Sequence, residues 1–421
     1  MKRKSIYTAL LSGLFIAPVA LAAPAALVTS SANDGLGSLR EALASGATRI
    51  EIDESVGTIF VTETLEYTSI DPLKLVGSGQ IIDGSGLTDN LAPIFAVTMG
   101  ADLSMSDLDF EGGGGYDFDN QGGGKGIFVK VPTDREGVVS LQLTNVSVFG
   151  VGNHGIHVSD CTLADACGSG GGGGGEGSPA SVEVSLVDVL VDGAGFGKAD
   201  ADGVRVDERG DGDIFFSAVN SRFMFVGADG VELDEGNDGS VLLQVRNNLF
   251  DYNGAYCLGD DQENLSDACN DDGEPDVDDG FDVDEAGPGS IMGFVRNNYV
   301  LFNYDEGLDF DEEDAGGFDV IFASNVAIGN EDEGLKLSEE DGGDITATLR
   351  SHYSESNNGS KEGIEIEEED GGIVTVVVTG STFIGGEDEE LKIEEDDDDG
   401  GTVKIRGTDV VTDLEDSLTE I

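Results

Sequence analysis

Apolar residues recur in a fixed pattern along the second half of the chain, most often with a period of 27 residues. A glycine marks each copy, at Gly203, Gly230, Gly280, Gly307, Gly334 and Gly363, and Glu390 takes this anchor position in the last copy. The first and third residues after the anchor are apolar: Val204/Val206, Val231/Leu233, Phe281/Val283, Leu308/Phe310, Leu335/Leu337, Ile364/Ile366 and Leu391/Ile393. Alternation with a period of two predicts a β-strand with one buried face. One such strand per copy predicts a solenoid, in which each coil buries its apolar face against its neighbours.

The spacing predicts a single domain of about eleven coils over residues 23–421. Residues 50–200 are expected to form irregular early coils with a glycine-rich insertion. Residues 201–421 are expected to form regular acidic coils, interrupted by a second insertion at about 253–278. The whole mature chain is therefore predicted to be one elongated β domain.

A second column lies eighteen residues after the anchor and carries small or polar residues. Its members are Ser221, Asn248, Asn298, Asn325, His352, Ser381 and Thr408. In stacked coils these side chains would meet their equivalents and the turning backbone, which predicts an interior ladder at a bend. We interpret this column as structural, not as a ligand site.

Acidic residues occupy the same positions in every regular copy. The residue before the anchor is always acidic: Asp202, Asp229, Asp279, Glu306, Glu333, Glu362 and Glu389. The fourth residue after it is acidic in six of the seven copies: Asp207, Asp234, Asp284, Asp311, Glu367 and Glu394. Equivalent residues of stacked strands lie about 4.8 Å apart, where two bare carboxylates repel by roughly 1 kcal/mol in water and several times more in a partly dry site. The sequence therefore predicts bound cations, and oxygen-only ligands favour several calcium ions.

A separate acid-rich segment lies in the second insertion, at residues 270–279. It resembles the Asp-rich calcium loops of thrombospondin-type repeats, although part of their alternating pattern is missing. The resemblance implies that Asp271, Asp272, Asp276 and Asp278 are metal ligands. An acidic surface loop without an ion is the alternative.

The net charge of the chain, −65, arises from 86 acidic residues against 21 basic ones. Such a charge excludes nucleic acid and anionic membranes as partners and favours divalent cations. Salt adaptation or disorder would also give an acidic composition. Disorder is disfavoured because the regular apolar alternation continues between the acids.

The first 22 residues have the pattern of a secretory signal peptide. Lys2, Arg3 and Lys4 precede an apolar stretch at Ala9–Ala20, and a small-residue cleavage site ends at Ala22. The apolar stretch is too short to span a bilayer. We expect the protein to be secreted by a bacterium or displayed on its surface, with the periplasm as the alternative.

Four cysteines fit an exported protein. Cys161 and Cys167 are close in sequence, as are Cys257 and Cys269, and each pair flanks or lies in an insertion. The spacing predicts two local disulfides that restrain loops, with free thiols as the alternative.

Residues 30–45 are predicted to form a short N-terminal capping helix. Ser38 and Glu41 have the spacing of a capping box, and Leu39, Ala42 and Leu43 form one apolar helical face. The segment resembles the D-x-G-x-GSLREA opening of secreted bacterial right-handed parallel β-helix proteins, in the broad pectate-lyase-like group. The resemblance implies an all-β, right-handed parallel β-helix. Since this group includes lyases, hydrolases, epimerases and adhesins, it implies a fold more than an activity.

The second residue after the anchor faces away from the apolar pair. This column reads Phe128, His157, Arg205, Glu232, Asp282, Asp309, Lys336, Glu365 and Lys392. Together with Lys125, Lys130, Asp202 and Asp207, the early members are predicted to converge on one exposed sheet face. Enzymes of this fold place a base beside metal-binding acids there, which makes Lys130, His157 and Arg205 candidate catalytic residues. Ordinary surface charges are the alternative.

The pattern as a whole favours a secreted calcium-binding β-helix that acts as an extracellular or cell-surface structural or adhesive module. The alternative is a polysaccharide lyase or other carbohydrate-active enzyme that uses the face near His157 and Arg205. Expected partners are divalent cations and extracellular polysaccharide or cell-surface components. An unpaired strand edge after Val410 also predicts end-to-end self-association.

Overall fold

The structure is a computed structural model. It describes residues 25–114, 116–117, 122–161, 176–195, 201–254, 277–355, 357, 363–369, 371–384, 390–395, 401–406, 412–414 and 418–420. The predicted signal peptide lies outside the described residues.

One sheet contains twelve strands and is called the anchor sheet here. Its strands, in chain order, are β4 (Leu65–Tyr67), β6 (Phe95–Val97), β10 (Ile127–Lys130), β12 (Ile156–Ser159), β15 (Val204–Glu208), β18 (Val231–Glu235), β21 (Phe281–Ala286), β24 (Leu308–Glu313), β27 (Lys336–Glu339), β30 (Glu365–Glu368), β33 (Leu391–Ile393) and β35 (Thr412–Leu414). Each strand pairs in parallel with the next one in this order.

A second assembly of parallel strands has 22 members. They are β1 (Ala25–Val28), β2 (Arg49–Ile52), β3 (Ile59–Phe60), β5 (Leu73–Asp83), β7 (Leu103–Glu111), β11 (Gly137–Phe149), β13 (Ala180–Val187), β14 (Leu190–Asp192), β16 (Ile214–Val219), β17 (Arg222–Met224), β19 (Val241–Arg246), β20 (Leu249–Asp251), β22 (Ile291–Arg296), β23 (Tyr299–Leu301), β25 (Gly317–Ala323), β26 (Val326–Ile328), β28 (Asp344–Arg350), β29 (Tyr353–Glu355), β31 (Val374–Thr379), β32 (Thr382–Ile384), β34 (Gly401–Arg406) and β36 (Leu418–Glu420). A small antiparallel pair joins β8 (Tyr116–Asp117) to β9 (Gly122–Gly123).

The register of the anchor sheet matches the sequence repeat. Val204 pairs with Val231, and the strands of all seven regular copies lie in this one sheet. Each coil leaves the anchor sheet, forms two strands of the second assembly and returns to pair in parallel, and such crossovers are right-handed. The protein is a right-handed parallel β-helix, which confirms the predicted fold.

The hydrophobic core is the stack of apolar side chains inside the coils. Val204, Val231, Phe281 and Leu308 are fully buried, and rings of successive coils stack on one another, as Phe250 does on Phe281 at 5.6 Å between centroids. Full burial of such a side chain stabilises the fold by about 1.5–3 kcal/mol. Each coil obtains this burial from its neighbours and not from itself.

The polar ladder predicted at the bend is confirmed. The amide nitrogen of Asn248 donates to the side-chain oxygen of Asn298 (3.1 Å), and Asn298 donates in turn to Asn325 (3.1 Å). Asn220, Asn247 and Asn297, the residues just before each ladder position, have φ between 54° and 58°. Asparagine tolerates this left-handed conformation better than most residues, so it suits the sharp bend.

A helix, α1 (Leu39–Ala44), precedes most of the coils. Ser38 is its N-cap and accepts a hydrogen bond from the Glu41 amide, and Leu39, Ala42 and Leu43 are buried, as predicted. The helix contacts β1, β2 and β4. Among the described residues, no helix has the length and apolar character needed to cross a membrane.

Of the four cysteines, only Cys161 is described, and its side chain is buried. Cys167, Cys257 and Cys269 lie outside the described residues. The pairing of the cysteines stays a prediction.

Candidate metal centres on the acidic face

The face of the anchor sheet opposite the core carries the charged residues, and it is called the acidic face here. The pairing of strands places the second residues after the anchor in one column, confirming the neighbours that the repeat predicts. In order, the column is His157, Arg205, Glu232, Asp282, Asp309, Lys336, Glu365 and Lys392. Strand alternation explains why these side chains point away from the core.

The prediction of an exposed face is wrong. His157 is 1% exposed and Arg205 is 6% exposed, and Glu232, Asp309 and Glu365 are also buried. Side chains of adjacent parallel strands lie close enough to cover one another, and the acidic column before the anchor flanks them. Charges on this face therefore interact with each other more strongly than ordinary surface charges do.

Arg205 lies at the centre of four carboxylates. Its guanidinium contacts Asp207 at 2.7 Å, Asp202 at 3.2 Å and Asp234 at 3.2 Å, and it also forms an ion pair with Glu232. These carboxylates raise the pKa of Arg205 above its already high value, against the opposing effect of burial. The group will not release a proton, so the predicted role of Arg205 as a catalytic base has no chemical support.

His157 is held by Asp207, with 2.6 Å between Nε2 and the carboxylate oxygen. Burial, aided by the positive charge of Lys125, lowers the pKa of His157 to about 3 despite this carboxylate. The imidazole is therefore neutral at pH 7. Its Nδ1 atom is buried and has no hydrogen-bond partner in the described part of the chain.

Lys130 does not join this cluster. It ends β10 with an exposed side chain and pairs with Ser159, which separates it from the strand of Asp207. The structure thus brings His157, Asp202, Arg205 and Asp207 together, and leaves the third catalytic candidate apart.

Two lysines further along the same column act as built-in cations. Lys336 contacts Asp309 at 3.1 Å, with Asp311 at 3.7 Å and Glu306 at 3.8 Å. Lys392 contacts Glu365 at 2.6 Å and Glu394 at 2.8 Å. Between Arg205 and Lys336 the column holds only acids, at Glu232, Asp282 and Asp309.

Carboxylates from neighbouring coils converge into five trios, in each of which one oxygen per residue lies within 4.8 Å of the others. The trios are Asp202–Asp229–Glu232, Glu232–Asp282–Asp284, Asp279–Glu306–Asp309, Asp305–Glu306–Asp332 and Glu365–Glu367–Glu394. Three trios lie wholly or partly in the stretch between Arg205 and Lys336 that has no basic residue in the column. Such oxygen-only sets suit calcium, which takes six to eight oxygen ligands in flexible geometry.

Several acids of these trios resist ionisation when no cation is bound. Burial, reinforced by neighbouring carboxylates, raises the pKa values of Asp279, Asp282 and Glu306 well above the ordinary range, and raises that of Asp284 to about 7. A divalent cation would remove this repulsion and hold the groups ionised.

Unsatisfied oxygens lie in the Asp279–Glu306–Asp309 trio. One carboxylate oxygen of Asp279 and one of Asp309 are buried and have no hydrogen-bond partner among the residues that the structure describes. Buried polar atoms normally find partners. The donor set fits a hard cation that would bond these oxygens directly.

The residues predicted from the two acidic columns divide into groups. Asp202, Asp229, Asp279, Asp284, Glu306, Glu367 and Glu394 belong to trios. Of these trio members, Asp202, Glu306 and Glu394 also contact Arg205, Lys336 and Lys392. Asp207 and Asp234 belong to no trio and are neutralised by Arg205, and Asp234 by Arg209 as well. Asp311 lies near Lys336, Glu333 is fully buried, and Asp278 is partly buried. Glu362, Glu389, Asp271, Asp272 and Asp276 lie outside the described residues.

Six trio members are absent from the predicted ligand set. Glu232, Asp282, Asp309 and Glu365 stand in the column that the sequence assigned to a candidate active site, and Asp305 and Asp332 lie two residues before the anchor. Their regular spacing was visible in the sequence. The sequence did not show which side chains of different columns come together between neighbouring coils.

Comparison with known proteins gives structural similarities at low sequence identity and assigns no activity. No protein-family model matches the sequence, and no curated protein matches it. Among solved structures, the A-module of the mannuronan C-5 epimerase AlgE4 of Azotobacter vinelandii is similar, with 12% identity and a TM-score of 0.49 over 91% of this chain and 93% of that one.

Two other similar structures are a GH136 lacto-N-biosidase from Eubacterium ramulus and the Dettilon tailspike protein. The first has 12% identity and a TM-score of 0.49 over 92% of this chain and 68% of that chain. The second has 13% identity and a TM-score of 0.34 over 88% of this chain and 62% of that chain. At these values the likeness carries no argument about activity. The fold assignment rests on the strand pairing itself.

Proposed function

We propose that this protein is an extracellular β-helix whose acidic coils are held together by calcium, and that it serves as a structural or adhesive module. The observation that carries the proposal is the set of carboxylate trios, each drawing ligands from neighbouring coils. An ion that binds carboxylates of two neighbouring coils would hold those coils together. The C-terminal half would then be stable only where calcium is available.

The position of the built-in cations supports this proposal. Arg205, Lys336 and Lys392 neutralise the acids around them, whereas Asp282 has no basic residue beside it in its column. A fold that needed no ions would be expected to distribute basic residues along the whole column, because unpaired buried charges are strongly destabilising.

The alternative, a polysaccharide lyase or other carbohydrate-active enzyme, has less support from the geometry. A lyase needs an accessible base, but Arg205 is bound by four carboxylates and His157 is buried. The His157–Asp207 pair would suit proton transfer, and so would the adjacent His154–Asp202 pair, with 3.0 Å between Nδ1 and the carboxylate oxygen. A polysaccharide screen that produced new reducing or unsaturated ends, and lost them in His157→Ala, would establish the alternative.

The calcium proposal is tested by thermal melting with calcium, magnesium or EDTA at constant ionic strength. A ligand bound only by the folded state adds about 2.7 kcal/mol per independent site at a hundredfold excess over Kd. We expect calcium to raise the melting midpoint by many degrees and magnesium to raise it less. If sodium chloride alone restores what EDTA removes, the acids are merely screened and the proposal is wrong.

A variant separates specific binding from screening. Asp282→Asn removes one charge from the Glu232–Asp282–Asp284 trio. It should raise the stability of the calcium-free protein, because a buried amide needs neither a bound proton nor a cation, and it should reduce the gain from calcium. Asp238→Asn is the matched control, since Asp238 is exposed and outside every trio in the described part of the chain. Equal behaviour of the two variants would contradict the assignment of this trio.

A further inference from the structure

A second file of acids lies at the fifth residue after the anchor and is called the carboxylate ladder here. Its members are Asp160, Glu208, Glu235, Glu285, Glu312, Glu339, Glu368 and Glu395. From Glu208 to Glu368 they pair in register, one on each successive strand of the anchor sheet. Unlike the acidic face, this position follows the direction of the core: in the preceding coil it holds Val131, which is buried among apolar residues.

The ladder is inaccessible to solvent. Glu208, Glu235, Glu285, Glu312 and Glu339 are each 0% exposed. None of them forms an ion pair with a lysine, arginine or histidine in the part of the chain that the structure describes. A row of buried acids without basic partners is costly in a protein interior.

A column of glycines lies beside the carboxylate ladder and leaves room for its side chains. Four residues after the ladder position stand Gly212, Gly239, Gly289, Gly316, Gly343 and Gly372. A Cβ at Gly289 would collide with the Glu285 carboxyl and with the carbonyl oxygen of Gly239 in the preceding coil. At Gly239 the backbone N–H donates to Glu235 (3.2 Å). The turn is therefore shaped around the carboxyl groups and admits no side chain there.

The side chain of Glu285 has two carboxyl oxygens without a described hydrogen-bond donor. Both of its oxygens are buried and receive no hydrogen bond from a described donor. The groups that face them are the carboxyls of Glu235 and Glu312, in the coils before and after. The carboxyls of three successive coils thus face one another, and among the described residues no basic side chain forms an ion pair with them.

We propose that the carboxylate ladder binds a file of calcium ions inside the turns, each ion held between carboxyl groups of successive coils. These sites are separate from those of the acidic face and do not depend on them. The dry surroundings favour calcium over magnesium, because magnesium gives up its water reluctantly. Protons are the competing occupant. Without a cation, burial and the neighbouring carboxyls raise the pKa of Glu285 to about 11, and burial raises that of Glu339 to about 8, so these groups would hold protons at pH 7 until calcium displaces them.

The test is the exchange of bound radioactive calcium against an excess of unlabelled calcium. Ions at the partly exposed Asp282 and Asp284 of the acidic face should exchange faster than ions in the ladder, whose carboxyls are 0% exposed from Glu208 to Glu339. Glu285→Gln keeps the size of the side chain and removes its charge, so it should reduce the slow fraction and leave the fast one intact. Asp282→Asn, on the same strand, should do the reverse.

The outcomes are distinguishable. A wild-type protein without a slow fraction, or a slow fraction unchanged in Glu285→Gln, overturns the ladder proposal. A slow fraction that persists without a fast one overturns the acidic-face sites and leaves the ladder standing. If Glu285→Gln does not fold, infrared spectroscopy of the wild type decides. Loss of a carboxylic-acid C=O band on adding calcium supports the ions, and a band that calcium does not change shows that the ladder holds protons.

Discussion

Arg205 shows how single residues neutralise this acidic fold from within. Its planar guanidinium reaches carboxylates on its own strand and on the next one, including Asp207 and Glu232. Arginine suits this position because it offers five donors in a fixed fork and stays charged. Lys336 and Lys392 repeat the arrangement later in the column with fewer contacts. A basic residue in the column therefore neutralises the neighbouring carboxylates permanently, as a bound cation would.

Arg205→Met should destabilise the calcium-free protein by about 3–5 kcal/mol, the usual cost of leaving buried charges without their partner. Urea denaturation at pH 7 in EDTA measures the change. Calcium should recover part of the loss, because an added cation can approach the vacated carboxylates. Arg222→Met, on an exposed position of β17, is the control and should change stability by no more than about 0.5 kcal/mol. Equal effects of the two substitutions would contradict the central role of Arg205.

The elements of this fold are held in register by polar ladders as well as by apolar packing. Besides the ladder through Asn248, a second one runs through Asn253, Asn303, Asn330 and Asn357, with side-chain hydrogen bonds of 2.8–3.0 Å between successive members. Each amide satisfies its neighbour and the turning backbone. Because the bonds run along the solenoid axis, a shift of one coil by a residue would break them together.

Asn248→Ala should cost about 1–3 kcal/mol per group left unsatisfied. The substitution orphans the Ser221 N–H, which donates to Asn248 (2.8 Å), and the Ala218 carbonyl, which accepts from it (2.9 Å). The measurement is the shift of the urea midpoint in saturating calcium. Gln244→Ala, exposed on the same coil, should be close to neutral. A similarly neutral Asn248→Ala would show that the bend does not depend on the ladder.

At the scale of the whole molecule, a net charge of −65 is combined with ordered columns of acids on neighbouring coils. The molecule therefore resists its own repulsion only where basic residues, cations or protons compensate. This links stability to calcium and to pH at once. Calcium and protons compete for the same carboxylates.

The calcium-free protein should lose stability as pH rises from 6.5 to 8. Asp284 and Glu367 have pKa values raised to about 7 by burial and neighbouring acids, so the folded state holds more protons than the unfolded state and gives them up on this rise. His157 and His352, whose pKa values burial lowers to about 3 and 4, act in the opposite direction only below about pH 6.5.

Differential scanning calorimetry in EDTA across this range checks the sign. Each group that titrates contributes up to about 1.4 kcal/mol per pH unit. In saturating calcium the same scan should be nearly flat, because bound ions keep the carboxylates ionised. A calcium-free midpoint that rises toward pH 8 would show that these acids are already ionised in the apo fold.

The sequence alone was sufficient for the fold, because in a solenoid local and long-range order have the same period. The 27-residue spacing aligns Val204 with Val231 and Asn298 with Asn325. Residues that share a column in the sequence are therefore neighbours in adjacent coils of the structure. The short helix at Leu39–Ala44 could also be predicted, since its cap and its apolar face are local.

Only the tertiary structure decided which charged columns are buried and which partners they meet. Alternation says that Arg205 points away from the core, but not that neighbouring acids enclose it. It also places Glu285 on the core side of its strand, but does not show that Glu285 is fully buried beside the carboxyls of Glu235 and Glu312. Burial and ion pairing depend on how columns of different coils converge in space, and the period of a sequence carries no information on that distance.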